Sequence, residues 1–426
     1  MKRILIVLPN LDLGGMETVV MNYFRAIDRE KIIFDFVVHG EKGFFEDEAV
    51  SLGAKIFRCP TRKKNFFKNI FTMRKIYKKN LNAPEISDDA YFFGAREKNF
   101  EGVEKIPREK ISREKIPAEN FVAGAREKIP HEKYETVIVC TEHAFAFIEL
   151  FVAWICGVKI RAAWSHFSDY QGRSKLKRRL HFFARPFLCA FTNLFLACTE
   201  DAGRWLFGGL HKKNFCIINN AIDLEKFKFD ETARKKIRSE YNLGESFTIG
   251  IVGRLVPVKN HAFAKKIFAE LRKEKNFDAY ENIFSSEEKR DAVLMIIGDG
   301  ELRCELDSRD EKIIFTGAVE NIREFYSALD FLIVPSFHEG FPMIAVEAQA
   351  SGLPVLLSEN ITRGVALSPL ANFKSLDAGA KNWAREILKT KIPPREKINL
   401  SASGFDIKTE GRRFECLMTK GGCSEK

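Results

Sequence analysis

The sequence predicts an α/β protein made of two Rossmann-like, doubly wound parallel-sheet domains. Three observations predict it. Apolar runs of strand length alternate with helical patterns from end to end, the signature of βαβ units and a parallel sheet. A chain of 426 residues has room for two ordinary domains, each with its own core. In both halves, glycines and charged side chains gather where a strand runs into a helix. That is the edge at which open α/β sheets keep their ligand crevice.

The first strand, Arg3–Leu8, leads into PNLDLGGMETVVMNYFRAI, a loop with Gly14 and Gly15 followed by an amphipathic helix. Two glycines at such a turn let backbone approach a ligand closely, although a plain tight turn reads the same way. The pattern is not GxGxxG, which argues against a nicotinamide cofactor. Further strands are expected at Ile33–His39, Ala54–Phe57, Thr136–Cys140, Lys159–Trp164 and Leu194–Cys198. His166 follows the fifth of these six strands, in AWSHFSD; a lone histidine is more often structural than catalytic.

Between Ala83 and Lys133 the composition changes. Arg-Glu-Lys recurs at Arg96, Arg108, Arg113 and Arg126, proline and glycine interrupt, and no apolar period is sustained. The block reads as a low-complexity insertion looped out of the first domain. The charged stretch Asn276–Arg290 reads as a second loop expansion.

The second domain starts at Phe247 with FTIGIVG, followed by Arg254 and Lys259 ahead of a helix from His261. Two cations just past a strand are placed to meet a diphosphate, Arg as a bidentate fork and Lys as a point charge. Strands at AVLMIIG and IIFTG come next, then HEGFPMIAVEAQASGLPVLLSEN, His338 to Asn360. Proline in the first turn and Gly352 just past the last bound a helix from about Pro342. Glu339 precedes that helix, with Gly340 and Phe341, and Glu347 lies inside it. A helix N-terminus suits a phosphate, and carboxylates beside it accept from hydroxyls, so the pattern points to a nucleotide sugar. Two solvated surface glutamates are the bland alternative.

Composition excludes several classes. The apolar run Ala144–Val158 is interrupted by Glu149 and too short to span a bilayer. Only five apolar residues follow Met1-Lys2-Arg3 before Pro9, so no secretory leader is expected. The nine cysteines form no CxxC pair, which suits reduced thiols in a cytoplasmic protein. No Asp-x-Asp pair occurs, and neither a metal nor a cofactor is expected.

The net charge of +11 is concentrated: Arg62–Lys79 holds eight basic residues and Arg173–Arg185 six, with no acid in either. Both stretches interleave the charge with bulky apolar residues, which suggests a face for an anionic membrane surface. No nucleic-acid-binding signature accompanies the charge, so no nucleic-acid partner is expected.

The run ALDFLIVPSFHEGFPMIAVEAQASGLPV strongly resembles the donor-site segment of the group 1, family 4 glycosyltransferases of the GT-B fold. The resemblance covers Lys2–Ile76 and Tyr134–Met418, broken only by insertions. It implies two Rossmann-like domains facing an interdomain cleft: 1–200 on the acceptor side, 201–246 as connection, 247–385 for the nucleotide sugar, and 386–426 as closing helices returning to the first domain. It implies further that Gly14, Gly15, Arg254, Lys259, Gly340, Phe341 and Glu347 bind the donor. Glu339 and His166 are then catalytic, Glu339 accepting from the sugar and His166 lying in a segment similar to the family's Ser-His motif at the acceptor side of the cleft. LACTEDAGRWLFGG is similar to a segment of exopolysaccharide- and capsule-type members, with Thr199 in place of serine. The activity so implied is retaining transfer from a nucleotide-diphosphate sugar, UDP-linked, to a glycan or lipid-linked acceptor. The enzyme is then expected in the cytoplasm, peripheral on the inner face of the cell membrane. A nucleotide-sugar epimerase, a phosphorylase or a non-catalytic carbohydrate- or nucleotide-binding protein could share the architecture.

Overall fold

The structure, a computed structural model, describes residues 1–78, 134–167, 175–208, 215–273, 291–307, 309–390, 394–395 and 398–420. The expected insertion at 83–133 and the stretch 276–290 lie outside the described residues, as do Lys79 and Arg173 at the ends of the basic stretches.

Two all-parallel sheets form. The first comprises β1 (Lys2–Val7), β2 (Ile32–Val38), β3 (Ile56–Arg58), β4 (Thr136–Thr141), β5 (Ile160–Ser165), β6 (Leu194–Ala197) and β7 (Cys216–Ile217). The second comprises β8 (Phe247–Val252), β9 (Ala292–Ile297), β10 (Ile313–Gly317), β11 (Phe331–Val334), β12 (Val355–Ser358) and β13 (Ala371–Lys374). Every residue of β2, β8 and β9 is buried, because helices cover both faces and the strands read as unbroken apolar runs. The strand orders are β3-β2-β1-β4-β5-β6-β7 and β10-β9-β8-β11-β12-β13. Each order reverses direction once, between β1 and β4 and between β8 and β11, and a crevice opens at the carboxyl ends there.

The first sheet runs on past residue 200, the end of the first domain that the resemblance implies. The helix Glu200–Phe207 buries Leu206 and Phe207 in the first core, and β7 pairs with β6 beyond it. A strand of two residues carries no alternation to read. At the other end, the helix Gly379–Lys389 stays with the second domain through Trp383, Ala384 and Ile387. Only the helix Ile407–Lys420 returns, packing Phe414, Leu417 and Met418 against Tyr23, Phe24 and Phe34 of the first core.

The chain crosses between domains at 219–223 and again at 404–407, and the two crossings lie side by side. Asn219 Nδ2 donates to Gly404 O at 2.9 Å, Ile222 N to Phe405 O at 3.0 Å, and Ile407 N to Ile222 O at 2.9 Å. Seven described cysteines are free thiols. Cys216 is disulfide-bonded, against the expectation of reduced thiols throughout.

Candidate active site

A cleft of about 1000 Å³ opens between the two switch points. Its second-domain wall is made by two loops whose paths are fixed by glycine. Gly253 and Gly298 have φ of +142° and +140°, a region that L side chains rarely adopt. A Cβ on Gly298 would stand 2.2 Å from Gly253 O, and one on Gly300 2.7 Å from Leu255 N. The loops after β8 and β9 therefore lie backbone against backbone, and Leu255 N donates to Asp299 O at 3.0 Å. This contact aims Arg254, which stands exposed in the cleft with no partner among the described residues.

Lys259 Nζ pairs with Glu339 Oε1 at 2.6 Å, and Ser336 Oγ donates to the same oxygen at 2.8 Å. Both members of the pair are mostly buried, so the attraction is little screened. The neighbouring Gly340 reaches the first domain, where its Cβ position is 3.6 Å from His166 O. Phe341 lines the cleft, yet its ring is stacked on Phe405 at 5.4 Å and 9°. It fastens the loop to the interdomain crossings.

Glu347 is not on the cleft wall. Met343 and Ile344 line it, and Glu347 follows them one turn on along the same helix face. Its carboxylate accepts from Tyr326 Oη at 2.7 Å. Burial pushes its pKa up to about 7, against the pull of the tyrosine hydrogen bond.

On the first-domain wall, Gly14 caps the helix Gly15–Ala26. A Cβ there would meet Glu17 Oε2 at 2.2 Å, whereas one on Gly15 would meet nothing within 4 Å and would project into open space. Glu17 is buried among these turns, and burial raises its pKa. His166 directly follows β5, 6% exposed, its ring on Trp164 at 4.7 Å. Neither ring nitrogen has a partner among the described residues. Burial drives its pKa down to about 3, so the ring is neutral at physiological pH. The preceding Ser165 points the other way, as strand alternation requires, and donates to Ala202 O at 2.7 Å. Thr199 does the work expected of a serine, capping the helix Glu200–Phe207 through Ala202 N at 3.1 Å. Trp205 of that helix donates to Glu142 O at 2.9 Å and so braces the cleft.

Several lining groups carry no sequence pattern: His39, Arg62, Glu142, His143, Glu149 and Asn220. They come from several turns of the chain, Glu142 and His143 sharing one, and from a helix, so only the fold brings them together. Asn220, 6% exposed with Oδ1 unpartnered among the described residues, lies where the chain leaves the first domain. Among the described residues, no group of three or more His, Cys, Asp or Glu could hold a metal ion.

The outer surface of the first domain carries most of the basic stretches. Arg62 and Lys63, expected on the same face, line the cleft instead, where Arg62 is drawn in by Glu149. Leu176, Leu180, Phe183 and Phe187 form an exposed stripe along the helix Lys175–Phe191, and Phe67 and Phe71 are exposed on the helix Phe66–Tyr77. Between them the helix Phe147–Ile155 exposes Phe151, Trp154 and Ile155. Among the described residues no helix is long and apolar enough to cross a membrane.

Residues 246–367 match the family model described as Glycosyl transferases group 1. The chain is 29% identical over 423 residues, 95% of its length and 93% of the other's, to EpsF of Bacillus subtilis (strain 168), a protein named as a glycosyltransferase. It is 33% identical over 152 residues to the Escherichia coli UDP-Gal:alpha-D-GlcNAc-diphosphoundecaprenol alpha-1,3-galactosyltransferase, a match covering 33% of this chain and 36% of that one. Its fold is similar to that of Anabaena HepE in complex with UDP-glucose, with a TM-score of 0.66, 14% identity, and 99% and 100% of the two chains covered. Residues 246–367 thus carry the group 1 match, and the chain has the fold of two facing parallel-sheet domains seen in HepE.

Proposed function

From the premise of a group 1 glycosyltransferase with the GT-B fold, we propose a retaining enzyme of cell-surface polysaccharide synthesis. It moves a sugar from a UDP-linked donor to a glycan or lipid-linked acceptor. The observation that carries this reading is the Lys259–Glu339 pair beside the exposed Arg254, facing His166 and Gly15 across one cleft. HepE, similar in fold, is seen with UDP-glucose, and the Escherichia coli relative is named for a UDP-sugar donor and a lipid-diphosphate acceptor.

As the glycosidic bond breaks, negative charge grows on the leaving diphosphate. Lys259 is fixed beforehand by Glu339, Arg254 stands beside it, and together they meet that charge, which lowers the barrier. Glu339 already shares one oxygen between an ammonium and a hydroxyl. So compensated, it is a poor nucleophile, and its other oxygen accepts from a sugar hydroxyl. Neutral His166 hydrogen-bonds the sugar from the opposite wall. The donor's ribose extends past Ile344 to Glu347, which accepts from its two hydroxyls. The acceptor attacks on the face from which the diphosphate departs.

The aromatic and basic outer face of the first domain docks on an anionic bilayer. Each basic residue near such a surface contributes about 1 kcal/mol, an effect that fades within a Debye length. Two experiments test the reading. Hydrolysis of UDP-, GDP- and ADP-sugars in the absence of acceptor should be fastest with UDP; failure of all three defeats the donor assignment. Sedimentation with liposomes should rise with phosphatidylglycerol and fall with salt, and replacing Arg74, Lys75, Lys78 and Lys79 by glutamate should abolish it. Equal binding to neutral vesicles, or none to either, removes the membrane.

A further inference from the structure

The first-domain wall holds an Arg62–Glu149 pair to which the donor reading assigns no role. Glu149 stands in the first turn of the helix Phe147–Ile155 and is 4% exposed. Arg62 Nε lies 3.3 Å from its Oε1, and Arg62 Nη1 is tied to Phe145 O at 2.6 Å. The arginine is thereby pinned, and it keeps the carboxylate charge-compensated. Glu149 Oε2 has no hydrogen-bond partner among the described residues. A buried carboxylate oxygen without a donor is costly, and native folds rarely keep one without a use. Both residues line the same cleft as Arg254, Lys259 and Glu339, on the opposite domain. A group that completes Glu149 from the cleft must bring a hydrogen-bond donor, and a sugar hydroxyl does so without adding charge.

The helix that carries Glu149 also sets what kind of sugar arrives. Its buried face presents Glu149, and its other face exposes Phe151, Trp154 and Ile155 among the aromatic and basic groups of the outer surface. Phe147 and Phe151 meet Phe187 and Phe191 of the neighbouring helix at 5.7 and 5.0 Å, so the apolar surface continues without a break. One helix thickness, about 10 Å, separates that surface from the free oxygen.

We propose that the Arg62–Glu149 pair is the acceptor subsite, where Glu149 Oε2 accepts from a hydroxyl of a sugar carried on an apolar, membrane-seated tail. This rests on the transferase reading and names the acceptor side of the same cleft. The probe is octyl β-glucopyranoside, below its micellar concentration, added to protein saturated with UDP. Saturation-transfer NMR should show the glucosyl protons in contact, with free glucose binding at least ten-fold more weakly. Glu149→Gln, which keeps the shape, should weaken octyl glucoside at least five-fold and leave UDP affinity within two-fold. Arg62→Gln should do the same, which guards against one variant failing to fold. No binding to the wild-type chain, equal binding to both variants, or displacement of UDP by the glycoside overturns the subsite. A wild-type chain that does not bind UDP overturns the transferase reading itself, and is told apart by that first titration.

Discussion

The two walls of the cleft are built on opposite plans. On the second-domain side, Arg254, Lys259 and Glu339 stand on the loops that follow β8 and β11, aimed by glycine backbone packed on backbone. On the first-domain side, His39, Arg62, His143, Glu149 and His166 come from beyond four different strands, and Glu149 and His166 are buried. Holding a diphosphate calls for charges that solvent, and therefore the ligand, can reach. Reading hydroxyl groups calls for neutral or compensated groups in a dry wall, where each hydrogen bond counts for more.

The sharpest way to break this contrast is at the charged wall. Lys259→Ala should lower transfer by about 10²–10³-fold, the usual cost of removing a preorganised group that meets developing charge. Arg254→Ala should weaken UDP by about ten-fold while leaving uridine nearly unchanged, since a charge-assisted contact to phosphate is worth about 1.5–3 kcal/mol. Calorimetric titration with both ligands distinguishes them; equal losses would mean the arginine does not meet the diphosphate.

Glu347, one helical turn behind the charged wall, gives a test through pH. Its folded pKa, about 7, lies above the value of 4.5 for a free carboxyl. The native state therefore holds the extra proton between those values, and the stability this confers is lost as pH rises from about 4.5 to 7. Ribose hydroxyls donate to the ionised form, so UDP affinity should climb between pH 6 and 8. Glu347→Gln should remove that climb, leaving only the part that belongs to the phosphate's own titration. An unchanged slope would separate Glu347 from the ribose.

The smallest effect is expected at the dry wall, and its sign is the informative part. His166→Phe removes two buried nitrogens that have no partner among the described residues. Denaturant unfolding should show a gain of about 1–3 kcal/mol, while transfer falls. The depressed pKa, about 3 against 6.5, means that the unfolded chain takes the proton first. The wild type should therefore lose stability as pH drops from 6.5 towards 3, and the variant should lose less. A destabilised, active variant would make His166 a packing residue.

The charged wall was legible in the sequence because its residues are contiguous. Arg254 and Lys259 follow one strand and Glu339 to Phe341 lead into one helix, so each group reads as one local pattern, and the family resemblance joined the two. The strands were legible too, since parallel strands buried on both faces are unbroken apolar runs. Legibility failed where structure depends on distant partners. Glu149 reads as a charge interrupting an apolar run, and only the approach of Arg62 explains it. β7 and β13 are edge strands of two and four residues, too short for a period to show. Phe341 sits in the donor motif, yet its ring serves the packing against Phe405, a distinction that spacing cannot draw.

The side-by-side crossings at 219–223 and 404–407 have a mechanical consequence. Two tethers at separate edges would cross-brace the domains against each other. Two tethers laced at one place act as a single pivot, so one rotational freedom stays soft while translation and twist are resisted. Phe341 belongs to both parts of this linkage, reaching Phe405 at the pivot from the loop that holds Glu339. A turn about the pivot that parts the jaws must therefore pass its torque through the segment bearing the charged pair, and the angle between the domains and the pose of Glu339 change as one variable.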